Sequence, residues 1–302
     1  MDLRRRRIRS SASPKKLISM KKEIKQILLI DGKKVYRITT SDERFYSREE
    51  INPKTGLPEM KWYPSITWIK SYWYKSPYLV KWIADKGLTE AEAIRKEAGI
   101  KGDKIHQACE DIDKGIIIKI DAPYLNKETG EMEELTAEEC AAIMSYRDYI
   151  DQEKPELLAN EMTVFSKQGE KEEYAGTLDR IFRKNGQIWI IDLKSSPTIY
   201  KDMIVQISAY SHSDIDYQTL GITEEEWQNR KLAILQVGYS RNKNGWKETE
   251  VQDRYDLFQI AYRIWKEENP EAKPKQRDFP LEIKSEFRDK ILKTGAKAEE
   301  IK

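Results

Sequence analysis

The chain has 302 residues and is 39% hydrophobic, 10% aromatic and 35% charged. That excludes disorder throughout and supplies apolar residues for one large domain or two small ones. No apolar run approaches the roughly eighteen residues of a membrane span, and the two cysteines, Cys109 and Cys140, cannot build a disulfide framework, a four-thiolate zinc site or a four-cysteine iron–sulfur cluster, so a reducing cytoplasm is the expected compartment. Lys+Arg 54 against Asp+Glu 52 gives a net charge of +2, too near neutrality to indicate an anionic partner on its own.

The distribution of charge says more. From Met1 to Gln26 ten basic residues stand against Asp2 and Glu23, a local +8 that leaves about −6 for the other 276 residues. Arg4, Arg5, Arg6 and Arg7 are followed by Ser10, Ser11, Ser13 and Pro14, so residues 1–26 are expected to form a flexible basic arm. Clustered arginines neutralise nucleic-acid phosphates. A solubilising tail or an import signal has the same composition. The arm lacks the aromatic apolar face that an interfacial membrane helix would use.

Ile27 to Ile30, Asp31-Gly32 and Val35 to Ile38 read as a hairpin, with Arg44 to Tyr46 a third strand. Between Trp62 and Trp82 lie eight of the chain's thirty aromatics, interleaved with Lys61, Lys70, Lys75 and Lys81. Helical core packing is the expected fate of most; Trp68 and Trp73 are candidates for stacking on unpaired bases. Thr89-Glu90-Ala91-Glu92 is a capping box for a helix ending near Gly99, and a second helix should run from Asp103 to Lys114, with Gly115 as its stop and His106 and Glu110 on one face. After a long acidic helix, Ala137 to Gln152, strands follow at Glu161–Phe165, Tyr174–Lys184 and Gln187–Leu193. Asn185-Gly186 between the last two is the strongest hairpin signal in the chain. Then come a helix from Tyr200 to Asp216, a short one from Glu224 to Asn229, strands at Leu232–Tyr239 and Trp246–Val251, and a helix from Tyr255 to Glu268. Residues 271–302 form a charged, weakly patterned tail. No GxxxxGK[ST] loop occurs, so no nucleotide-hydrolysing motor is visible.

With a two-residue turn at Asn185-Gly186, Lys184 faces Gln187 and Asp179 falls opposite Asp192. Directly opposed Cβ atoms lie roughly 4.5 to 5.5 Å apart, and like charges there repel, so a cation should sit between them. Lys194 shares the face of Asp192, while Trp189, Ile191 and Leu193 point away. Oxygen ligands from two aspartates, completed by water and a substrate phosphate, suit Mg²⁺ or Mn²⁺. The chemistry this implies is phosphodiester hydrolysis, with Lys194 orienting water or stabilising developing charge. A solvated surface ion pair is the alternative.

Gly176-Thr177-Leu178-Asp179-Arg180-Ile181, Ile190-Ile191-Asp192-Leu193-Lys194-Ser195 and Gln206-Ile207-Ser208-Ala209-Tyr210 together resemble the nuclease signature of the RecB-like branch of the PD-(D/E)XK superfamily. Gly102-Asp103-Lys104-Ile105-His106 resembles its helical G-x-x-x-H element. Tyr63-Pro64-Ser65-Ile66-Thr67 resembles the P-S-[VI]-T segment of phage-type members and of the mitochondrial genome maintenance exonuclease. Ser195-Ser196 departs from the usual Thr-Ser or Thr-Thr after the lysine.

The resemblance covers about residues 63–210 and implies an α/β fold with a restriction-endonuclease-like α-β-β-β-α-β core. Its central mixed sheet would be flanked by helices and covered by an N-terminal helical and hairpin layer, in a domain over residues 27–270 with the core at about 100–240. It implies Asp179, Asp192, His106 and the Leu193 backbone carbonyl as metal ligands, with Glu161 as a further acid, Lys194 as the catalytic lysine, and Gln206 and Tyr210 in the active site. The implied activity is a Mg²⁺- or Mn²⁺-dependent deoxyribonuclease without an iron–sulfur cluster. Expected is an exonuclease on single-stranded or linear DNA ends in recombination, replication or repair, working with a recombination or single-strand-binding protein in a bacterial host or phage-infected cell. A structure-specific endonuclease of the same fold and a non-catalytic DNA-binding or recombination-partner module remain the rivals.

Overall fold

Asn185 and Gly186 both take left-handed backbone, φ 51° and 72°, the geometry of the two-residue turn that the dipeptide predicts. The strands it joins hold the expected register, Lys184 opposite Gln187 and Arg180 opposite Ile191. The structure is a computed structural model and describes residues 23–28, 34–39, 43–52, 55–127 and 129–274. In chain order the elements are β1 (Glu23–Leu28), β2 (Lys34–Thr39), β3 (Arg44–Ile51), β4 (Pro58–Pro64), α1 (Ile66–Lys70), α2 (Pro77–Lys86), α3 (Leu88–Asp113), β5 (Tyr124–Leu125), β6 (Met132–Glu133), α4 (Ala137–Glu153), β7 (Glu156–Phe165), β8 (Ala175–Lys184), β9 (Gln187–Lys194), α5 (Lys201–Ser211), α6 (Glu224–Gln228), β10 (Lys231–Val237), β11 (Trp246–Val251) and α7 (Tyr255–Glu268).

The central sheet is mixed, in the order β11-β10-β9-β8-β7. Only the β9–β10 step is parallel, and α5 and α6 make its crossover; a parallel neighbour cannot be reached by a tight turn. Helices cover both faces, which is why β9 and β10 read as nearly unbroken apolar runs. On one face Ile105, Ala108 and Ile112 of α3 and Ala142 and Tyr146 of α4 pack on Phe182, Ile191, Leu193, Ala233 and Leu235. On the other, Ile66 and Ile69 of α1, Val205 of α5 and Phe258 and Trp265 of α7 pack on Leu178, Ile181, Ile188, Ile190 and Leu232. Each wholly buried aliphatic side chain contributes about 1.5–3 kcal/mol. Among the described residues no helix is long and apolar enough to cross a membrane.

The N-terminal layer is a four-stranded antiparallel meander, β1 to β4. It exceeds the expected hairpin by a whole strand, because Pro58–Pro64 is extended and pairs along β3, with prolines at its two ends as an edge strand allows. Glu23, placed in the arm by charge, opens β1. Val35, Tyr46 and Tyr63 of this layer bury against Phe165 and Ala175 of the central sheet. Arg4, Arg5, Arg6 and Arg7 lie outside the described residues, as does the tail from residue 275.

Two helical expectations are corrected. The predicted pair Thr89–Gly99 and Asp103–Lys114 is one helix, α3, which starts at Leu88 after Gly87 (φ 80°) with no side-chain cap. The capping box at Thr89 is therefore not used: Thr89 already lies inside the first turn. Gly99 and Gly102 do not break α3, because packing of its C-terminal half on α4 and the sheet offsets the roughly 1 kcal/mol that each interior glycine costs. Gly115 (φ 74°) does stand just past its end as predicted. The aromatic run, expected as helix, divides between β4, α1, α2 and the connection 71–76 that carries Tyr72, Trp73 and Tyr74.

A buried ion pair ties α3 to the sheet. Arg180 Nε on β8 donates to Asp113 Oδ2 at 2.8 Å and to the Tyr146 hydroxyl at 2.7 Å, and Asn160 Nδ2 donates to the same Asp113 oxygen at 3.0 Å. The Arg180 and Asp113 side chains are 0% and 2% exposed. Removing one charge from such a pair strands the other. Arg180→Leu should therefore destabilise by about 3–5 kcal/mol in urea unfolding, whereas Arg180→Leu combined with Asp113→Leu should lose much less than the sum of the two single changes.

Candidate active site

The antiparallel ladder between β8 and β9 ends at Arg180–Ile191. One residue further, where a continued ladder would set Asp179 against Asp192, a side chain takes over from the backbone: Asp179 Oδ2 accepts the Leu193 amide at 2.8 Å. The opening frees the Leu193 carbonyl, which accepts from His106 Nε2 at 3.0 Å and from Lys194 Nζ at 3.2 Å. This carbonyl, expected as a metal ligand from the resemblance, thus sits between the histidine and the lysine.

On the other side of β8, the strand β7 pairs through Asn160–Arg180 and Met162–Leu178. Between them Glu161 takes a left-handed backbone, φ 46°, a conformation costing a non-glycine residue roughly 1–3 kcal/mol. Its carboxylate reaches His106: Glu161 Oε1 and Asp179 Oδ2 each lie 3.8 Å from His106 Nδ1. The ligand atoms of His106, Glu161 and Asp179 fall within 4.8 Å of one another, which brings together three of the residues singled out from sequence.

Asp192 stands apart from that trio. It is 1% exposed and its Oδ2 forms an ion pair with Lys194 Nζ at 2.6 Å, while neither carboxylate oxygen has a well-aligned hydrogen bond. The cation between the opposed carboxylates is therefore divided: Lys194 answers Asp192 and His106 faces Asp179. Burial pushes the Asp192 carboxyl up, Lys194 pulls it down and Asp179 pushes it up again, leaving it raised. Burial alone would lower Lys194, yet Asp192 and Asp179 hold it above its ordinary value, so it stays an ammonium at neutral pH. Burial likewise pulls His106 down, and the carboxylates of Asp179 and Glu161 reverse this to a net rise.

Gln206 and Tyr210 lie four apart on α5, and Gln206 Nε2 donates to the Tyr210 hydroxyl at 2.9 Å. Tyr210 is held well above the ordinary phenol range by burial and then by the nearby Asp179 and Asp192 charges, so it remains a neutral donor. Gly176 makes room for that ring: a Cβ there would meet Tyr210 Cε1 at 2.7 Å and Ile66 Cδ1 at 3.0 Å. Gly102 on α3 passes Ser195, whose Oγ would lie 3.8 Å from a Cβ at that position.

Two sequence candidates sit elsewhere. Trp68 is wedged edge-on between Phe45 (5.2 Å) and Trp265 (5.1 Å), and Trp73 is half-buried against the same core. The exposed rings of the aromatic segment are instead Tyr74 and Tyr78. Sequence reasoning misses two contributors. Lys70, which reads only as part of the lysine interleaving, places its ammonium 2.6 Å from Gln206 Oε1; its position at the last turn of a Ser65-capped helix is the available signal. Arg180, adjacent to Asp179, gives none beyond its place in the motif.

No family model matches the sequence, and no curated protein does. Among solved structures, one described as "Crystal structure of SSO0001" aligns over 68% of this chain and 76% of its own length at 12% identity, with a TM-score of 0.31, a likeness too slight to carry an argument.

Two measurements check this geometry. Gly176→Ala should cost about 1–3 kcal/mol through the forced shift of Tyr210 and Ile66, read by urea unfolding. His106 and His212 are the only histidines in the chain, so in metal-free protein the His106 resonance should titrate above 6.5, and Glu161→Gln or Asp179→Asn should lower that midpoint. Because the folded value exceeds the unfolded one, the stabilisation from protonated His106 is complete below pH ~6.5 and lost as pH rises through the folded value. His106→Gln should remove that part of the pH dependence.

Proposed function

We propose that this chain is a divalent-metal-dependent nuclease hydrolysing phosphodiester bonds in DNA, with the restriction-endonuclease-like core that the resemblance implies. The observation that carries the reading is the convergence of His106, Glu161 and Asp179 beside the buried Asp192–Lys194 pair, at the point where the β8–β9 ladder opens. The order α4-β7-β8-β9-α5-β10, with the short α6 added between α5 and β10, supports the core assignment. The unpartnered Asp192 carboxylate oxygens fit a cation-binding role, since a buried carboxylate oxygen without a partner is costly.

His106, Glu161 and Asp179 would hold Mg²⁺ or Mn²⁺, with Asp192 as a further donor; the Leu193 carbonyl, which the resemblance implies as a ligand, is taken up by His106 Nε2 and Lys194 Nζ. One imidazole among oxygen ligands fits Mn²⁺ as readily as Mg²⁺. When bound, the ion supplies charge for the phosphoryl oxygen and a more acidic water. For coordination His106 must be neutral; its Nε2–H then stays on the Leu193 carbonyl, which fixes the tautomer and turns Nδ1 toward the carboxylates.

The chain's own groups do the rest. Lys194, kept as an ammonium by Asp192, presents N–H donors to the attacking water or to a phosphate oxygen and stabilises charge that grows in the transition state. Tyr210, kept neutral, donates a hydrogen bond, and Gln206 holds its oxygen in place. The apolar walls from Leu178, Ile190 and Ile66 limit water around these charges, which strengthens each interaction.

An exonuclease on single-stranded or linear ends is the form we propose. The test is release of labelled nucleotides from linear and circular single-stranded DNA with Mg²⁺, Mn²⁺ or EDTA. Linear DNA alone should be degraded, and EDTA should abolish the reaction. Asp192→Ala and Lys194→Ala should each lower the rate by at least about 10²–10³-fold. Cleaved circles would move the activity to an endonuclease, and no metal-dependent cleavage of either substrate would sink the reading.

A further inference from the structure

Lys70 has no place in the signature that marks the site, and its surroundings are unusual for a lysine. It ends α1, the five-residue helix whose N-cap Ser65 accepts the Trp68 amide. Ile66 and Ile69 are wholly buried, and Trp68 is locked between Phe45 and Trp265, so the backbone under Lys70 is fixed. Its side chain is 16% exposed and runs to α5, where Nζ meets Gln206 Oε1 at 2.6 Å and Asp202 Oδ2 at 3.2 Å. An ammonium has three donors, and these two contacts leave one unused.

The charges that face it come from two directions. Asp202, 41% exposed, is in the first turn of α5. Asp192 and Lys194 act on it from β9. Burial lowers its pKa, Asp202 raises it, Lys194 lowers it and Asp192 raises it, with a net fall. So the active site holds a second, incompletely compensated cation whose main counter-ion is a carboxylate standing at the solvent side. A stem this buried, aimed at an amide oxygen, holds the ammonium in one place beside the Asp192–Lys194 pair. A fixed ammonium with a spare donor and a displaceable anion is the chemistry that binds a phosphate oxygen.

We infer that Lys70 is a direct ligand of a backbone phosphate of the bound nucleic acid, and that Asp202 occupies the phosphate's place in the free protein. The inference rests on the nuclease reading for its substrate. It also gives Gln206 a second role, because its carboxamide joins Lys70 on one side to Tyr210 on the other, so the phosphate-holding and the active-site donors move as one unit. The rival is a purely structural lysine that does no more than orient Gln206.

The test is binding of a short labelled single-stranded DNA by fluorescence anisotropy, with Ca²⁺ as the cation, over a range of salt. Lys70→Met keeps the stem and removes the charge. It should weaken binding by about ten-fold or more and reduce the slope of log K against log salt by roughly 0.7, one phosphate contact. Lys70→Arg should keep the slope. Asp202→Asn should tighten binding by about two- to five-fold, and most of that gain should vanish in the Lys70→Met background. Gln206→Leu should leave the slope alone.

An unchanged slope in Lys70→Met, or the same slope loss in Gln206→Leu, would overturn the inference in favour of the structural lysine. Cleavage by the wild type with an unchanged Lys70→Met slope overturns this inference alone. Binding without cleavage removes the nuclease reading while the slope still decides the role of Lys70. No binding at all overturns both.

Discussion

Two like charges carried to the same end of a hairpin set the terms for everything around them. The Asn185-Gly186 turn admits one register, which carries Asp179 and Asp192 to the same end of β8 and β9, just beyond the last pair, Arg180–Ile191. The repulsion is met by division of labour. Asp179 takes the Leu193 amide and faces the His106 imidazole, while Asp192 retreats from solvent against Lys194. The local backbone yields as well: the ladder stops, the Leu193 carbonyl becomes available, and Glu161 adopts a left-handed conformation that brings a third carboxylate to the same point. Strain and unpartnered oxygen atoms persist only where the surrounding structure over-determines them.

That surrounding structure comes from both sides of the sheet. His106 is carried by α3, which passes close to Ser195 at Gly102 and is pinned near its C-terminal end by the Asp113–Arg180 pair. The arginine lies one residue from Asp179, so the element presenting the histidine and the strand presenting the aspartate are fastened to each other next to the site. A fully buried ion pair is an inefficient source of stability. It does fix the relation between α3 and β8, on which the 4.8 Å convergence of ligand atoms depends.

On the opposite face the N-terminal layer and α1 join α5 and α7. The β1–β4 sheet docks through Tyr46, whose hydroxyl lies 3.0 Å from Thr177 Oγ1, and leads directly into α1. The aromatic surplus of this region locks α1 in place, with Trp68 meeting Phe45 and Trp265 edge-on. The consequence is a lysine, Lys70, held rigidly beside α5, and a tyrosine ring, Tyr210, seated over the bare backbone of Gly176. In the proposed nuclease, positioned donors of this kind would need no rearrangement when charge develops.

Local sequence determined a good deal: the Asn-Gly turn and its register, the four-residue spacing of Gln206 and Tyr210, the stop at Gly115, and the bounds of β11 and α7. Each rests on a short-range rule of backbone geometry. What only the tertiary structure decided was long-range. Gly99 and Gly102 lower helix propensity locally, and packing on α4 and the sheet overrides them to give one helix. Pro58–Pro64 becomes a strand because β3 offers it a partner. Trp68 goes inward because Trp265, nearly two hundred residues away, completes its pocket. The grouping of Glu161 with His106 and Asp179, and the reach of Lys70 to Gln206, follow from how α1, α3 and β7 are brought to one end of the sheet. No periodicity encodes that, because burial and charge compensation among distant segments select it.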